Sequence, residues 1–330
     1  MSKLNYPLKF KPILKEKIWG GTKLLSMLHK KLDEDVEIST IGESWELADV
    51  DEDKSYVING EFKGFSIQDL IIVHRGELMG EKVFKKFSYQ FPLLIKFIDA
   101  KEVLSIQLHP DDELAKSRHR SFGKTEMWYV VQADKGANLI VGFNQKTDLS
   151  SYLEHLKGGK LLDILNVDVV EKGDVYFIPP GRIHAIGAGV LLAEIQQTSD
   201  VTYRVFDWNR KDKEGNLREL HTIDALEALD FSIKKAKVNY RKTTNKVSSM
   251  VHCQYFTTNY IAVDGSLNMD NSGKDSFVIY MCVAGKVEFQ YGDDDVEVLM
   301  QGETVLIPAT LEKFGLVSEK GAELLEIFIK

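Results

Sequence analysis

The chain has 330 residues, 44% of them hydrophobic and 28% charged, the composition of a soluble globular protein with room for one large or two medium domains. Its formal net charge of -8 argues against a general binder of phosphate backbones, so nucleic acid is not an expected partner, although a local basic pocket for one small anion stays open. No run reaches the roughly 18 apolar residues needed to span a bilayer, and the segment from Met1 to Pro7 carries no signal-like stretch, so no membrane contact and a cytoplasmic address are expected.

In chain order, short apolar runs bounded by turn residues predict strands at 55–60, 92–98, 103–109, 126–131, 138–143, 174–178 and 190–195. Helical patterns are fewer. Ser66 caps a stripe of Ile67, Leu70, Ile71 and Leu78 that predicts a helix to Met79, and further helices are expected over 148–165 and 223–229. Many short strands with a few covering helices predict a mainly β protein. The stretch from Phe231 to Ser249 is polar and basic, as an exposed linker would be, and sets a boundary between a domain of residues 1–240 and a C-terminal β domain of 241–330. Cys253 and Cys282 sit in no thiolate-rich pattern and are expected to stay reduced.

Two segments carry chemistry. Strand alternation puts Ser105, Gln107 and His109 on one face and Leu104, Ile106 and Leu108 on the other, so Gln107 and His109 can reach one ion from a single strand. Downstream, Gly173, the Pro179-Pro180-Gly181 turn and His184 bring a second histidine to the end of an apolar strand. Together with Glu126 these residues form a mixed nitrogen and oxygen set suited to zinc and related divalent metals. Alternation alone would equally describe a half-exposed strand facing water. The remaining histidines, at positions 29, 74, 119, 155 and 221, have no supporting pattern and are read as solvated.

An internal repeat is also visible. Residues 173–184 align with 302–313, placing Lys313 where His184 stands, and the counterpart of Glu126 falls on Ser276 or Phe277. The second copy keeps the turns and loses the ligands.

The pattern Gly173, Pro179, Gly181, His184 resembles the second signature motif of the cupin superfamily, which implies metal-binding jelly-roll barrels, here two, of which only the first holds a metal. Further segments are similar to the type I phosphomannose isomerases: Glu16 to Gly21, Ile41 to Glu46, Lys96, Leu104 to Asp111, Gly123 to Met127, and Glu194 to Trp208. This resemblance implies one zinc ion per chain held by Gln107, His109, Glu126 and His184, with Arg204 as the active-site arginine. Only 57 residues separate Glu126 from His184, so the short bacterial form of the family is the natural comparison.

The implied reaction interconverts mannose 6-phosphate and fructose 6-phosphate through a cis-enediol. Arg204 would stabilise the enediol oxygens, Glu194, Lys124 and a metal-bound water are the candidate acid/base groups, and Lys96, Lys124 and Ser105 are the candidate phosphate donors. Trp19 would wall the sugar. An iron-dependent cupin dioxygenase and a non-catalytic phosphosugar-binding protein are the rival readings. The partner expected is a small phosphosugar, with the chain as a monomer or homodimer.

Overall fold

The computed structural model describes residues 4–32, 40–211 and 214–330. Within them the chain is mainly β, in two jelly-roll-like units of antiparallel sheet. The first unit pairs a seven-stranded sheet with a five-stranded one. In spatial order the larger sheet runs Lys237–Val238, Val175–Ile178, Glu126–Ala133, Val190–Gln197, Leu93–Ala100, Ile13–Gly21 and Ile41–Leu47. The smaller runs Leu165–Val169, Asn138–Phe143, His184–Ile186, Ile106–Leu108 and Tyr203–Phe206.

The two sheets enclose an apolar layer that includes Leu192 and in which Trp19, Ile98, Leu104, Trp128 and Ile186 form the floor of the cavity described below. The central strands of the larger sheet are buried on both faces. Leu191, Ala193 and Ile195 therefore pack outward into a second core shared with Ile279, Met281 and Leu325 of the C-terminal unit.

That unit is built from the strands at Val247–His252, Thr257–Asp270, Val278–Tyr291, Asp295–Met300, Thr304–Ile307 and Lys313–Phe328. Its sheet is completed from the other end of the chain, where Leu8 pairs with Leu306 and Lys9 with Val305. The stretch 231–249 is more anchored than an exposed linker. Tyr176 pairs with Lys237, the Phe177 amide donates to the Ala236 carbonyl, and the Tyr240 hydroxyl donates to the Gly173 carbonyl.

Several elements depart from the sequence reading. The helix expected from Ser66 to Met79 is two, Ile67–His74 and Gly76–Met79, broken at Arg75 with φ +47. Its start is as expected: Ser66 and Asp69 form a reciprocal capping box. Residues 55–60 make isolated bridges rather than a strand, and the run ends in a turn at Gly60 (φ +59). A helix at Asp112–His119 was not foreseen; its mean hydropathy is low and only Ala115 is buried, so no apolar stripe announces it.

The repeat is real but its register differs. Ile178 lies opposite Glu126, whereas Ile307, its repeat partner, lies opposite Val278. The counterpart of Glu126 is therefore Val278, not Ser276 or Phe277. Aligning turn residues fixed one strand of the hairpin and left its neighbour shifted, because strand pairing is not written in either sequence alone.

Candidate metal centre and active-site cavity

Antiparallel register explains how the site assembles, since residues directly opposite one another share a face. In the larger sheet Lys96 faces Glu194, which faces Trp128, and Gln196 faces Glu126. In the smaller sheet His184 lies opposite Gln107 and Gln107 opposite Arg204, three adjacent strands delivering one residue each to a single row. The turn before His184 is held by Gly181, whose amide donates to the His109 carbonyl at 2.8 Å. Gly181 has φ +77, and a Cβ there would lie 2.2 Å from the Ala228 carbonyl oxygen, so no other residue fits.

His109, Glu126 and His184 are each about 1% exposed, and one donor atom from each lies within 4.8 Å of the others. Each imidazole has its Nδ1 at a backbone carbonyl, Val201 O at 2.9 Å for His109 and Arg182 O at 2.8 Å for His184. That arrangement fixes Nδ1 as the protonated nitrogen and turns a bare Nε2 toward Glu126. The Nε2 to carboxylate separations are 3.5 Å from His109 and 3.4 Å from His184. His109 Nε2 and both Glu126 oxygens are buried with no hydrogen-bond partner. Leaving three polar atoms unsatisfied in the interior is costly, and a divalent cation among them satisfies all three.

The protonation preferences agree with a ligand set. Burial, and then the charge of Lys124, holds His109 well below its ordinary pKa, and burial lowers that of His184 to about 4. Both rings are therefore neutral near neutrality. Burial and the nearby Glu194 raise the Glu126 carboxyl, and the charges of Lys124 and Lys96 offset this only in part. Gln107 reaches the same point: its amide lies 3.5 Å from His184 Nε2 and its far end accepts from Ser105 Oγ at 3.1 Å. Reversing the amide presents its oxygen to the ligand cluster while Ser105 accepts from the nitrogen.

Beside this cluster opens a cavity of about 260 Å³ lined by Trp19, Lys96, Ser105, Gln107, Lys124, Trp128, Glu194 and Arg204, which gathers most of the residues expected from sequence. Trp19 is 4% exposed and serves core and wall at once. Glu194 accepts from Trp128 Nε1 at 2.9 Å and pairs with Lys96 at 3.2 Å. Burial alone would raise its pKa, but Lys96 and Lys124 overcome that and keep it ionised. Lys124 pairs with Glu126 at 3.5 Å.

Lys96, a candidate phosphate donor, lines the cavity. It is buried, held raised in pKa by Glu194 and Glu43 against its own desolvation, and seated 5.1 Å from the Trp45 ring. The sequence reading missed Lys17, Glu43, Asp200, Thr202 and Arg218, which also line the cavity. Glu43 had a legible signal: it shares a strand face with Trp45, whose Nε1 donates to it at 2.7 Å. Arg218 had none.

Arg204 makes no ion pair with Asp207 or Asp200. Its Nη1 donates to the Glu219 carbonyl at 2.9 Å, and Asp207 is taken by Arg210 and Arg218 instead. Of the histidines read as solvated, His74 is buried edge-on against Phe62 and His119 lies 2.8 Å from the Tyr203 hydroxyl. Both cysteines are free, Cys282 buried, and no helix of the described residues is long and apolar enough to cross a membrane.

A mainly β jelly-roll scaffold with a buried cluster of two histidines and one carboxylate that could hold a metal, beside a cavity lined by lysines and arginines, is the architecture of a jelly-roll enzyme. Comparison with known proteins narrows it. The family model for the phosphomannose isomerase type I catalytic domain matches residues 8–140. The mannose-6-phosphate isomerase ManA of Bacillus subtilis is 34% identical over 319 residues, 94% of this chain and 95% of that protein. A mannose-6-phosphate isomerase of Streptococcus mutans is 33% identical over 93% of this chain and 94% of its own length. The crystal structure of the mannose 6-phosphate isomerase from Bacillus subtilis superposes with a TM-score of 0.87 at 29% identity, covering 97% of this chain and 99% of that one. The chain belongs to the type I phosphomannose isomerase family.

Proposed function

We propose that the chain interconverts mannose 6-phosphate and fructose 6-phosphate by moving a proton between C1 and C2 through a cis-enediol. The observation that carries this reading is the row His184, Gln107, Arg204, which sets a guanidinium beside the unsatisfied donors of His109, Glu126 and His184. These three residues and Gln107 would hold one zinc ion. When bound, such an ion polarises hydroxyl and carbonyl oxygens without changing oxidation state.

The protein's own groups do the rest. Arg204 stabilises the negative charge that develops on the enediol oxygens, in a site dry enough for that charge to matter. Glu194, ionised and facing the cavity, takes the proton from one carbon and returns it to the other, while Lys124 passes the matching hydroxyl proton between the two oxygens. Trp19 and Trp128 exclude water from one side of the sugar, with Ser105 and Lys96 on its polar side. The division into a catalytic unit of residues 1–240 and a C-terminal unit of 241–330 belongs to the same reading. It is supported by the C-terminal sheet, where every strand but Leu8–Lys9 lies beyond residue 246.

A coupled assay that detects fructose 6-phosphate formed from mannose 6-phosphate, run with and without a chelator, tests this. Turnover abolished by chelator and restored by zinc is expected. Binding of mannose 6-phosphate without any turnover by zinc-loaded protein would leave only a phosphosugar-binding role.

A further inference from the structure

The cations around the cavity fall into two sets. Each lysine has a carboxylate of its own: Lys17 with Glu43 at 3.2 Å, Lys96 with Glu194 at 3.2 Å, and Lys124 with Glu126 at 3.5 Å. The arginines do not. Asp207 is shared by Arg210, at 2.5 Å, and Arg218, whose Nε and Nη2 form a fork at 2.6 and 2.5 Å. Arg204, next to them, donates to the Glu219 carbonyl; burial and then the charges of Arg218 and Arg210 act against its own, while those of Asp207 and Glu219 favour it. Among the described residues, three guanidiniums thus gather at one end of the cavity, two of them sharing the single carboxylate of Asp207.

Arg218 is the member of this group best placed to meet a ligand. Its fork with Asp207 fixes the guanidinium plane, the side chain keeps 24% exposure, it lines the cavity, and among the described residues its Nη1 meets no acceptor. Arg210 instead donates Nη1 to the Val103 carbonyl and is 14% exposed. A planar donor pre-set by a carboxylate loses little rotational freedom on binding and suits the oxygens of a phosphate.

We propose that Arg218 is the specificity-determining residue for the phosphate group: its guanidinium, oriented by Asp207, receives the phosphate of the sugar. This rests on the phosphosugar reading above and moves the phosphate contact from the lysines, whose charges are already matched, to the arginine end of the cavity. Asp207 is then a positioning residue.

The test compares sorbitol 6-phosphate, an open-chain phosphate that cannot isomerise, with sorbitol, by calorimetry on the metal-loaded wild type, Arg218→Ala and Arg218→Lys, alongside steady-state kinetics. Arg218→Ala is expected to weaken sorbitol 6-phosphate at least tenfold and to raise KM for mannose 6-phosphate by a similar factor, with kcat within threefold. Arg218→Lys, which keeps the charge and loses the fork, should fall between and covers the case in which the alanine variant does not fold. Binding by either variant within twofold of wild type overturns the proposal, as does a fall in kcat at constant KM, or a wild type that prefers sorbitol 6-phosphate no more than sorbitol. A wild type that binds sorbitol 6-phosphate through Arg218 yet leaves mannose 6-phosphate unchanged supports the phosphate site and removes the isomerase reading instead.

Discussion

Glu194 and Glu326 occupy the same position in the two halves of the chain. Glu194 lies opposite Trp128 and accepts its Nε1 proton, while Glu326 lies opposite Tyr280 and accepts its hydroxyl proton at 2.8 Å. Each also has a cation, Lys96 at 3.2 Å and Lys274 at 2.5 Å. The second copy has thus kept an inward carboxylate on its central strand while Val278 stands where Glu126 stands in the first.

Glu326 is fully buried and also accepts from Asn259 Nδ2 at 2.7 Å. Glu326→Ala would strand three donors, so we expect a loss of roughly 3 kcal/mol of stability, discounted for the partly exposed Lys274, with metal content unchanged. Chemical denaturation read beside elemental analysis checks both halves of that expectation. A fall in bound metal would show that the second unit supports the first centre.

His184→Ala should empty the metal centre and abolish turnover, since it removes one of three inward donors and leaves Glu126 facing a void. Lys313→Ala, at the repeat-equivalent position, should leave both near normal: Lys313 is 74% exposed and its nearest acid, Asp270, is 3.9 Å away. Metal stoichiometry and rate on the two variants decide the matter, and equal effects would contradict a single centre.

Arg204→Lys keeps the charge but loses the planar fork, so kcat should fall by about 10² with the metal retained. The backbone pairing of Arg204 with Gln107 survives this change, because it depends only on main-chain groups. Metal loss in this variant would mean that the arginine holds the ligand strand in place.

Glu43 makes acid stability a test of the cavity's charge balance. Burial alone would raise its carboxyl, but Lys96, Lys17 and the Trp45 hydrogen bond bring it from an ordinary 4.5 down to about 2. A folded-state pKa below the unfolded one gives stabilisation that is complete above about pH 4.5 and disappears as the pH falls toward 2. The gap in unfolding free energy between wild type and Glu43→Gln should therefore be largest near neutrality, on the order of 3 kcal/mol, and should shrink across that window. A gap independent of pH would refute the assignment.

Much of the centre could be read from the chain because it is local. Gln107 lies on one short strand with His109 just past its end, and His184 follows a turn that only Gly181 can make. Arg218 was invisible for the opposite reason. Nothing around Asn216 or Glu219 marks it, and its importance comes from Asp207, eleven residues away, across a turn in which Trp208 and Asn209 both adopt positive φ. The same limit applied to the fold. Short strands announce themselves by apolar runs, but the shift that puts Val278 opposite Ile307 depends on a partner strand outside the run itself.

The pairing of Leu8 and Lys9 with Leu306 and Val305 sets an order on biosynthesis. At about 5–20 residues per second, the amino-terminal strand leaves the ribosome roughly 15–60 seconds before its partner exists. Its unpaired edge must stay out of trouble for that interval. Closure of this sheet is consequently a late event, in which a segment made early is locked by one made much later.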